Sequence, residues 1–337
     1  MIMKKLHIYL PIVAAVAAIL AGCAKTRSES ENEELKDYFL AWMAQYHPGV
    51  SANSNGIYIL EETEGSGVLY NNHDFAYMEI TVADLEGNVS STNNLKMSQQ
   101  LGTYDPSYYY GPVMQYAGDY TTAGLYYTLT GMKKGGTRKV IVPFWLNTYS
   151  RYDSQEDYLS HASSSTAGAM YTIRLADFTS DEEQWEIDSL EAHLTNLYKE
   201  RPDSVSYGLY YHQITAPEDE EEFPSDTVIY INYIGRLLNG QVFDTSIRDT
   251  AVVHNIYNAS KEYGPQKVAW ASSAGSITLN TSSVITGFSN TLWQMHKYEK
   301  GIGYFISTHG YSSSGSGSAI PAYSPLSFEI EIVDEPD

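Results

Sequence analysis

Two stretches of this chain repeat one another, and that repeat limits the folds available more than any other feature. In each, a Gly that opens an apolar strand (Gly56-Ile-Tyr-Ile59, Gly208-Leu-Tyr-Tyr211) is followed 31 or 32 residues later by a turn Gly (Gly87, Gly240). A further Gly (Gly124, Gly287) is followed eight residues later by Met132 or Met295. Strands are expected over 76–85 and 227–238, with closing strands over 169–175 and 326–332. Leu125, Leu129 and Met132, like Phe288, Leu292 and Met295, fall at i, i+4 and i+7, so one face of a short helix is apolar in each unit. A helix of this kind is stable only against another layer, which predicts an α+β fold with two tandem domains, each an antiparallel sheet wrapped around a short helix. The methionines read as core rather than as ligands.

Each unit is preceded by an amphipathic segment. Leu35, Tyr38, Phe39, Trp42, Met43 and Tyr46 recur at helical spacing before Pro48. The second segment opens with Ser180-Asp-Glu-Glu183, a capping-box pattern, and continues through Ile187, Leu190, Leu194, Leu197 and Tyr198 toward Pro202. Both units carry long insertions before the short helix, 93–122 and 247–276, and Ser/Gly-rich loops at 154–168 and 312–318. Loops of this length are commonly functional or mobile. The acidic run 218–222 reads as a solvated hairpin loop.

At the N-terminus, Lys4 and Lys5 precede an apolar run from Leu6 to Leu20, and Leu20-Ala21-Gly22-Cys23 follows. The run is too short for a comfortable membrane span and ends in small residues, as a signal peptide does. The tetrad resembles a bacterial lipobox, which implies a signal peptide over 1–22 and a lipid on Cys23, the only cysteine. No thiol would remain for a disulfide, and lipidation would tether the protein to the membrane. Residues 23–32 are expected to form a disordered tether. Ala24 stands where an inner-membrane retention signal of enterobacterial lipoproteins has Asp, so outer-membrane attachment in a bacterial envelope is expected. A net charge of −21 disfavours nucleic acid as a partner. The 30 tyrosines suit strand-rich architecture.

Two runs carry a resemblance to a known family. Gly235-Arg-Leu-Leu-Asn-Gly-Gln-Val-Phe-Asp-Thr-Ser246 and Val284-Ile-Thr-Gly-Phe-Ser-Asn-Thr-Leu-Trp-Gln-Met295, with Ala319-Ile-Pro321 and Leu326-Ser-Phe328, resemble the FKBP-type peptidyl-prolyl cis-trans isomerases. The resemblance implies a proline-binding pocket in which Tyr233, Phe243, Asp244, Ile285 and Tyr311 carry catalysis, while Val284, Phe288, Ile320 and Phe328 bind substrate. It gives Ile285 a backbone N–H aimed at the ligand carbonyl, and Asp244 an orienting role rather than that of a base. Phe288 stands where the family has Trp. The family's strand aromatic before Val-Ile has only Gly275 or Ser276 nearby, and Ser307 falls near the place of a usual Pro. In the first unit, alignment on Gly87 puts Ile80 in place of Tyr and Ser90-Ser91 in place of Phe-Asp, although Met132 to Pro143 matches well.

The domain organisation expected is a signal peptide over 1–22, a tether over 23–32, a non-catalytic FKBP-like domain with its leading helix over 33–178, a linking helix over 179–202, and an isomerase domain over 203–337. Rotation about an X-Pro bond needs no nucleophile, metal or cofactor, and none is expected; the nine histidines show no zinc spacing. Phosphate-loop and nucleophile-elbow motifs are absent. Proline-containing unfolded or exported polypeptides are the expected partners. The rival reading is a non-catalytic FKBP-like binding or chaperone lipoprotein for a polypeptide, partner protein or glycan, since fold alone does not fix function. Read without the resemblance, Phe243, Ile285 and Phe288 are core residues and Asp244 a turn cap.

Overall fold

A computed structural model describes residues 27–72, 74–163, 166–200 and 204–336, with side chains from residue 31 onward. The expected signal peptide and Cys23 lie outside the described residues. The two units form separate antiparallel sheets with the same strand order. In the first, β1 (Tyr58–Thr63) lies beside β7 (Thr137–Pro143), then β8 (Gly168–Thr179), β3 (Phe75–Ala83) and β4 (Val89–Thr92), and β5 (Val113–Tyr116) also pairs with β3. A two-stranded ribbon, β2 (Ser66–Leu69) with β6 (Lys133–Lys134), flanks it. In the second, β10 (Leu209–Thr215) lies beside β16 (Lys300–Phe305), β17 (Leu326–Val333) and β11 (Val228–Leu237), and β11 also pairs with β12 (Val242–Thr245) and β13 (Gln266–Ala269). Short strands β9 (Ser204–Ser206), β14 (Thr278–Leu279) and β15 (Ser282–Ser283) extend this sheet at its ends.

The core helices, Ala123–Leu129 and Thr286–Leu292, sit in equivalent places. Each is held close to its sheet by a glycine. A Cβ on Gly124 would lie 2.3 Å from Val142, and one on Gly287 would lie 2.4 Å from the Phe305 ring. Leu129, Met132, Leu292 and Met295 are buried as the spacing predicts. Full burial of such a side chain stabilises by about 1.5–3 kcal/mol.

The leading helix spans Arg27–Tyr46. It therefore starts inside the segment read as tether. Buried Asn32 donates its side-chain amide to Leu159 O (2.8 Å) and Ala162 O (3.0 Å), which anchors that turn to the first domain. Phe39 and Met43 are the buried centre of the stripe, and the Phe39 ring meets Tyr58 and Trp145 edge-on at 5.5 and 5.3 Å. Tyr38 and Tyr46, on the flank of the stripe, are exposed.

The linking helix, Glu182–Tyr198, is capped by Asp181 rather than Ser180: the carboxylate accepts from Gln184 N at 3.0 Å. A carboxylate beside the positive end of a helix is the better acceptor. Ile187, Leu190 and Leu194 pack onto Tyr210, Ile302, Tyr304 and Ile306, so the helix belongs by packing to the second domain, while Leu197 points to solvent. The insertions are not featureless loops. The first holds a helix, Leu95–Leu101, and β5; the second holds a helix, Arg248–Val253, and β13.

Candidate active site

The site in the second domain is built from the inside outward. Phe328, on β17, is the hub of an aromatic cluster, with Phe288 edge-on at 5.1 Å, Phe243 edge-on at 5.5 Å, Phe305 parallel at 6.1 Å and Tyr233 at 6.2 Å. Tyr233 also meets Phe288 edge-on at 5.8 Å. These are the T-shaped and offset arrangements that ring quadrupoles favour. The cluster depends on Gly235, since a Cβ there would lie 2.7 Å from Phe243 and 2.9 Å from Phe328.

Of the nine residues singled out in the sequence, Tyr233, Phe288, Ile320 and Phe328 are buried in one core cluster, and half-buried Phe243, Val284, Ile285 and Tyr311 pack against it. Asp244 joins them through the Tyr233 hydroxyl, which donates to Asp244 Oδ2 at 2.9 Å. The buried four make a floor, and the half-buried group makes a rim. Antiparallel pairing of β11 with β12, Gly235 opposite Asp244, delivers Phe243 and Asp244 to that rim.

Lys261, in the second insertion, forms an ion pair with Asp244 and also reaches the Tyr233 hydroxyl at 3.3 Å. Its ammonium lies 5.5 Å from the Tyr233 ring centroid and 5.8 Å from that of Tyr263. Sequence reasoning missed Lys261 because it lies in a segment with neither period nor motif. Tyr263, in the same insertion, stacks on Tyr257 at 5.4 Å beside the Lys261 ammonium. Burial, then the Asp244 charge, raises the Tyr233 hydroxyl well above the ordinary phenol range. The same two causes, in the same order, raise Tyr311. Both hydroxyls are therefore neutral donors at physiological pH.

Ile285 is the N-cap of the core helix, with φ −63° and ψ 149°, and gives that helix no side-chain cap. Its N–H has no acceptor among the described residues. Ser307, on the strand exit leading toward Tyr311, is held from below: Glu186 of the linking helix accepts from Ser307 N and Ser307 Oγ, both at 2.6 Å. Burial pushes the Glu186 carboxyl above its usual range, against the pull of the two Ser307 donors. Among the described residues no group of three or more His, Cys, Asp or Glu could hold a metal ion.

The sequence profile of the FKBP-type peptidyl-prolyl cis-trans isomerases matches residues 219–333, the segment that carries this site. Residues 219–333 belong to that family. The chain is also similar to the macrophage infectivity potentiator of Trypanosoma cruzi, 26% identical over 139 residues, or 41% of this chain. The chain spans 59% of the length of that relative. Among solved structures, the three FKBP domains of wheat FKBP73 cover 84% of this chain and 98% of their own at 16% identity (TM-score 0.29). FkpA from Escherichia coli covers 53% of this chain and 74% of its own at 17% identity (TM-score 0.31). The first sheet repeats the strand order of the sheet in the matched segment, so the chain carries two tandem domains of that FKBP-like architecture.

Proposed function

We propose that the second domain is a peptidyl-prolyl cis-trans isomerase or folding helper acting on proline-containing polypeptides, in keeping with its family. The observation that carries this is the aromatic floor of Phe288 and Phe328 under a rim of Phe243, Tyr311 and Ile285. The uncatalysed barrier, about 18–20 kcal/mol, is the amide resonance lost on twisting. In the twisted form the carbonyl and nitrogen no longer share charge, so an apolar pocket that grips the ring and sheds water favours it over the planar, solvated amide. The Ile285 N–H and the Tyr311 hydroxyl are donors suited to the substrate carbonyl. Asp244 is held by Tyr233 and Lys261, and its place is structural and electrostatic rather than that of a base.

The first domain lacks the Phe-Asp pair and is read as a non-catalytic module. The export signal and Cys23 lipid anchor make an envelope location, with exported polypeptides as clients, the setting we assign to this activity. A binding protein without turnover is the second reading, favoured by the Ser90-Ser91 substitution in the first domain.

Exchange spectroscopy on an X-Pro peptide separates the two. The purified protein is expected to accelerate cis/trans exchange, and Phe243→Ala to cut kcat/KM by about 10- to 100-fold, the equivalent of roughly 1.5–3 kcal/mol of lost apolar contact. No acceleration by the wild type rules out isomerisation of that peptide class.

A further inference from the structure

The first domain reaches the rim of the site through one loop, residues 104–112. The loop is braced from within. Asp105 accepts from Ser107 N and Ser107 Oγ at 2.8 and 2.7 Å, Tyr110 OH accepts from Asp105 N at 3.0 Å, and Tyr109 OH donates to Pro112 O at 2.9 Å. The Tyr104 and Tyr110 rings lie 5.5 Å apart, and Gly111 N donates to Asn93 O at 2.8 Å. A loop tied at this many points is stiff enough to act on what it touches.

It touches two places in the second domain. Tyr109 N donates to Ser318 O at 2.8 Å, and the half-buried Tyr109 ring packs against the core cluster that floors the site. The Tyr108 carbonyl accepts from Gln241 Nε2 at 3.2 Å. Gln241 stands two residues before Phe243, and Ser318 two residues before Ile320. One loop of the first domain thus bonds both segments that bring rim and wall residues to the pocket.

The segment it holds has no large side chains with which to anchor itself to its surroundings. Residues 312–318 are Ser and Gly alone. Inside the segment the backbone is tight: Ser316 and Ile320 form an isolated bridge, and Gly315, at φ 61°, leaves a Cβ only 2.3 Å from Ile320 O. A second tie comes from Phe75 of the first domain, whose ring meets Tyr323 edge-on at 5.4 Å, while Tyr323 N donates to Ser312 O at 2.9 Å. Between these contacts the domains leave a cavity of about 160 Å³ lined by Tyr77, Tyr109, Trp185, Leu237 and Pro321 among others. The loop therefore acts at two points rather than as part of a continuous packed face.

We infer that Tyr109 is a positioning residue of the isomerase site: its loop is a strut that fixes the 311–320 wall against the 238–243 turn and so sets the affinity of the pocket for its polypeptide. This rests on the isomerase reading of the second domain. It gives the first domain a task that needs no Phe-Asp pair.

The test uses the full chain with Tyr109→Ala, Tyr109→Phe and Gln241→Ala. Tyr109→Ala keeps the backbone bond to Ser318 O but removes the ring packed on the core cluster and the hydroxyl brace to Pro112 O that hold that bond in place, and is expected to speed amide hydrogen exchange in 312–320 by about tenfold or more. It should raise KM for an X-Pro peptide by about five- to tenfold with kcat within about twofold, the pattern of lost ground-state positioning. Tyr109→Phe keeps the ring and should restore both readouts to within about twofold of the wild type. Gln241→Ala removes one hydrogen bond without opening a core, and should speed exchange over 238–243 in a fully folded protein. Unchanged exchange in 312–320, or a rise in kcat/KM on loss of Tyr109, overturns the strut; the rise would make the loop a cover. If the wild type does not isomerise the peptide, the isomerase reading falls, and the exchange data alone decide the strut.

Discussion

The two domains share the same backbone bonds and register at the hairpin beside the candidate site, and differ in what the hairpin carries. Gly87 and Gly240 both turn at positive φ, 91° and 88°. Gly87 N bonds Asp84 O and Gly240 N bonds Leu237 O, while Asp84 N and Leu237 N bond Asn88 O and Gln241 O. Even the brace beyond the hairpin repeats: Ile80 N donates to Asn93 Oδ1, and Tyr233 N to Ser246 Oγ. On that common frame Ile80, Val82, Ser90 and Ser91 of the first domain replace Tyr233, Gly235, Phe243 and Asp244 of the second. Thr122 replaces Ile285, and its hydroxyl accepts from Leu125 N, closing a helix start that the second domain leaves open. The domain with the ordinary cap has the ordinary residues around it, and the domain that breaks the local rule is the one that carries the candidate site, as expected where function competes with local stability.

The sharpest way to break the comparison is Gly235→Val, which copies Val82 into the second domain. The new side chain must displace the rings of Phe243 and Phe328. A loss of kcat/KM of about 100-fold or more is expected, with overpacking that costs about 1–3 kcal/mol. Exchange spectroscopy and thermal melts read both. A Gly235→Val protein with wild-type turnover would mean that the aromatic cluster is not the site.

Glu186 gives a pH test of intermediate size. The folded state holds its proton more tightly than the unfolded chain, whose ordinary value is about 4.5. The stability it contributes is thus complete below that value and is lost as pH rises through the raised folded one. In the first domain the corresponding strand exit is held by a backbone pair, Phe144 N to Ala167 O. Calorimetry between about pH 4 and 7 should show the second domain's transition falling with pH across that window, and Glu186→Gln should flatten the fall. An equal slope in the variant would place the titration elsewhere.

The smallest effect sharpens the same contrast from the other side. Ile285→Thr gives the second core helix the cap that Thr122 gives the first. It should stabilise by about 0.5–1 kcal/mol, visible as a rise in melting temperature, while lowering kcat/KM a few-fold as the hydroxyl competes for N–H groups at the rim. A stabilised variant with higher turnover would contradict the part assigned to the Ile285 backbone.

Much of this was legible in the chain. Glycines and methionines at fixed spacing exposed the repeat because they mark turns at positive φ, a helix held against its sheet, and a helix face buried on it. The nine candidate site residues could be named because the runs 235–246, 284–295 and 319–328 resemble the FKBP family, whose pattern points to them. What could not be read were contacts between segments with no period. Lys261 meets Asp244 from inside an insertion, Glu186 meets Ser307 across 121 residues, and Tyr109 meets Ser318 across the domain boundary. The cap on the linking helix was misplaced by one residue because Ser180 and Asp181 are both good caps by type, and only the geometry selects the carboxylate. The tether was drawn too long because polar composition at 27–32 hides Asn32, whose partners lie more than a hundred residues away.

The linking helix carries one more consequence. By covalent order it follows the first domain, but by packing it is the lid on Tyr210, Ile302, Tyr304 and Ile306. A fragment beginning at 203 would present those four side chains to water and leave Ser307 without its carboxylate. The unit that can be inherited, excised or recombined as a folding whole therefore begins near 179, and a cut between 199 and 204 would sever the chain without parting the helix from the domain it covers.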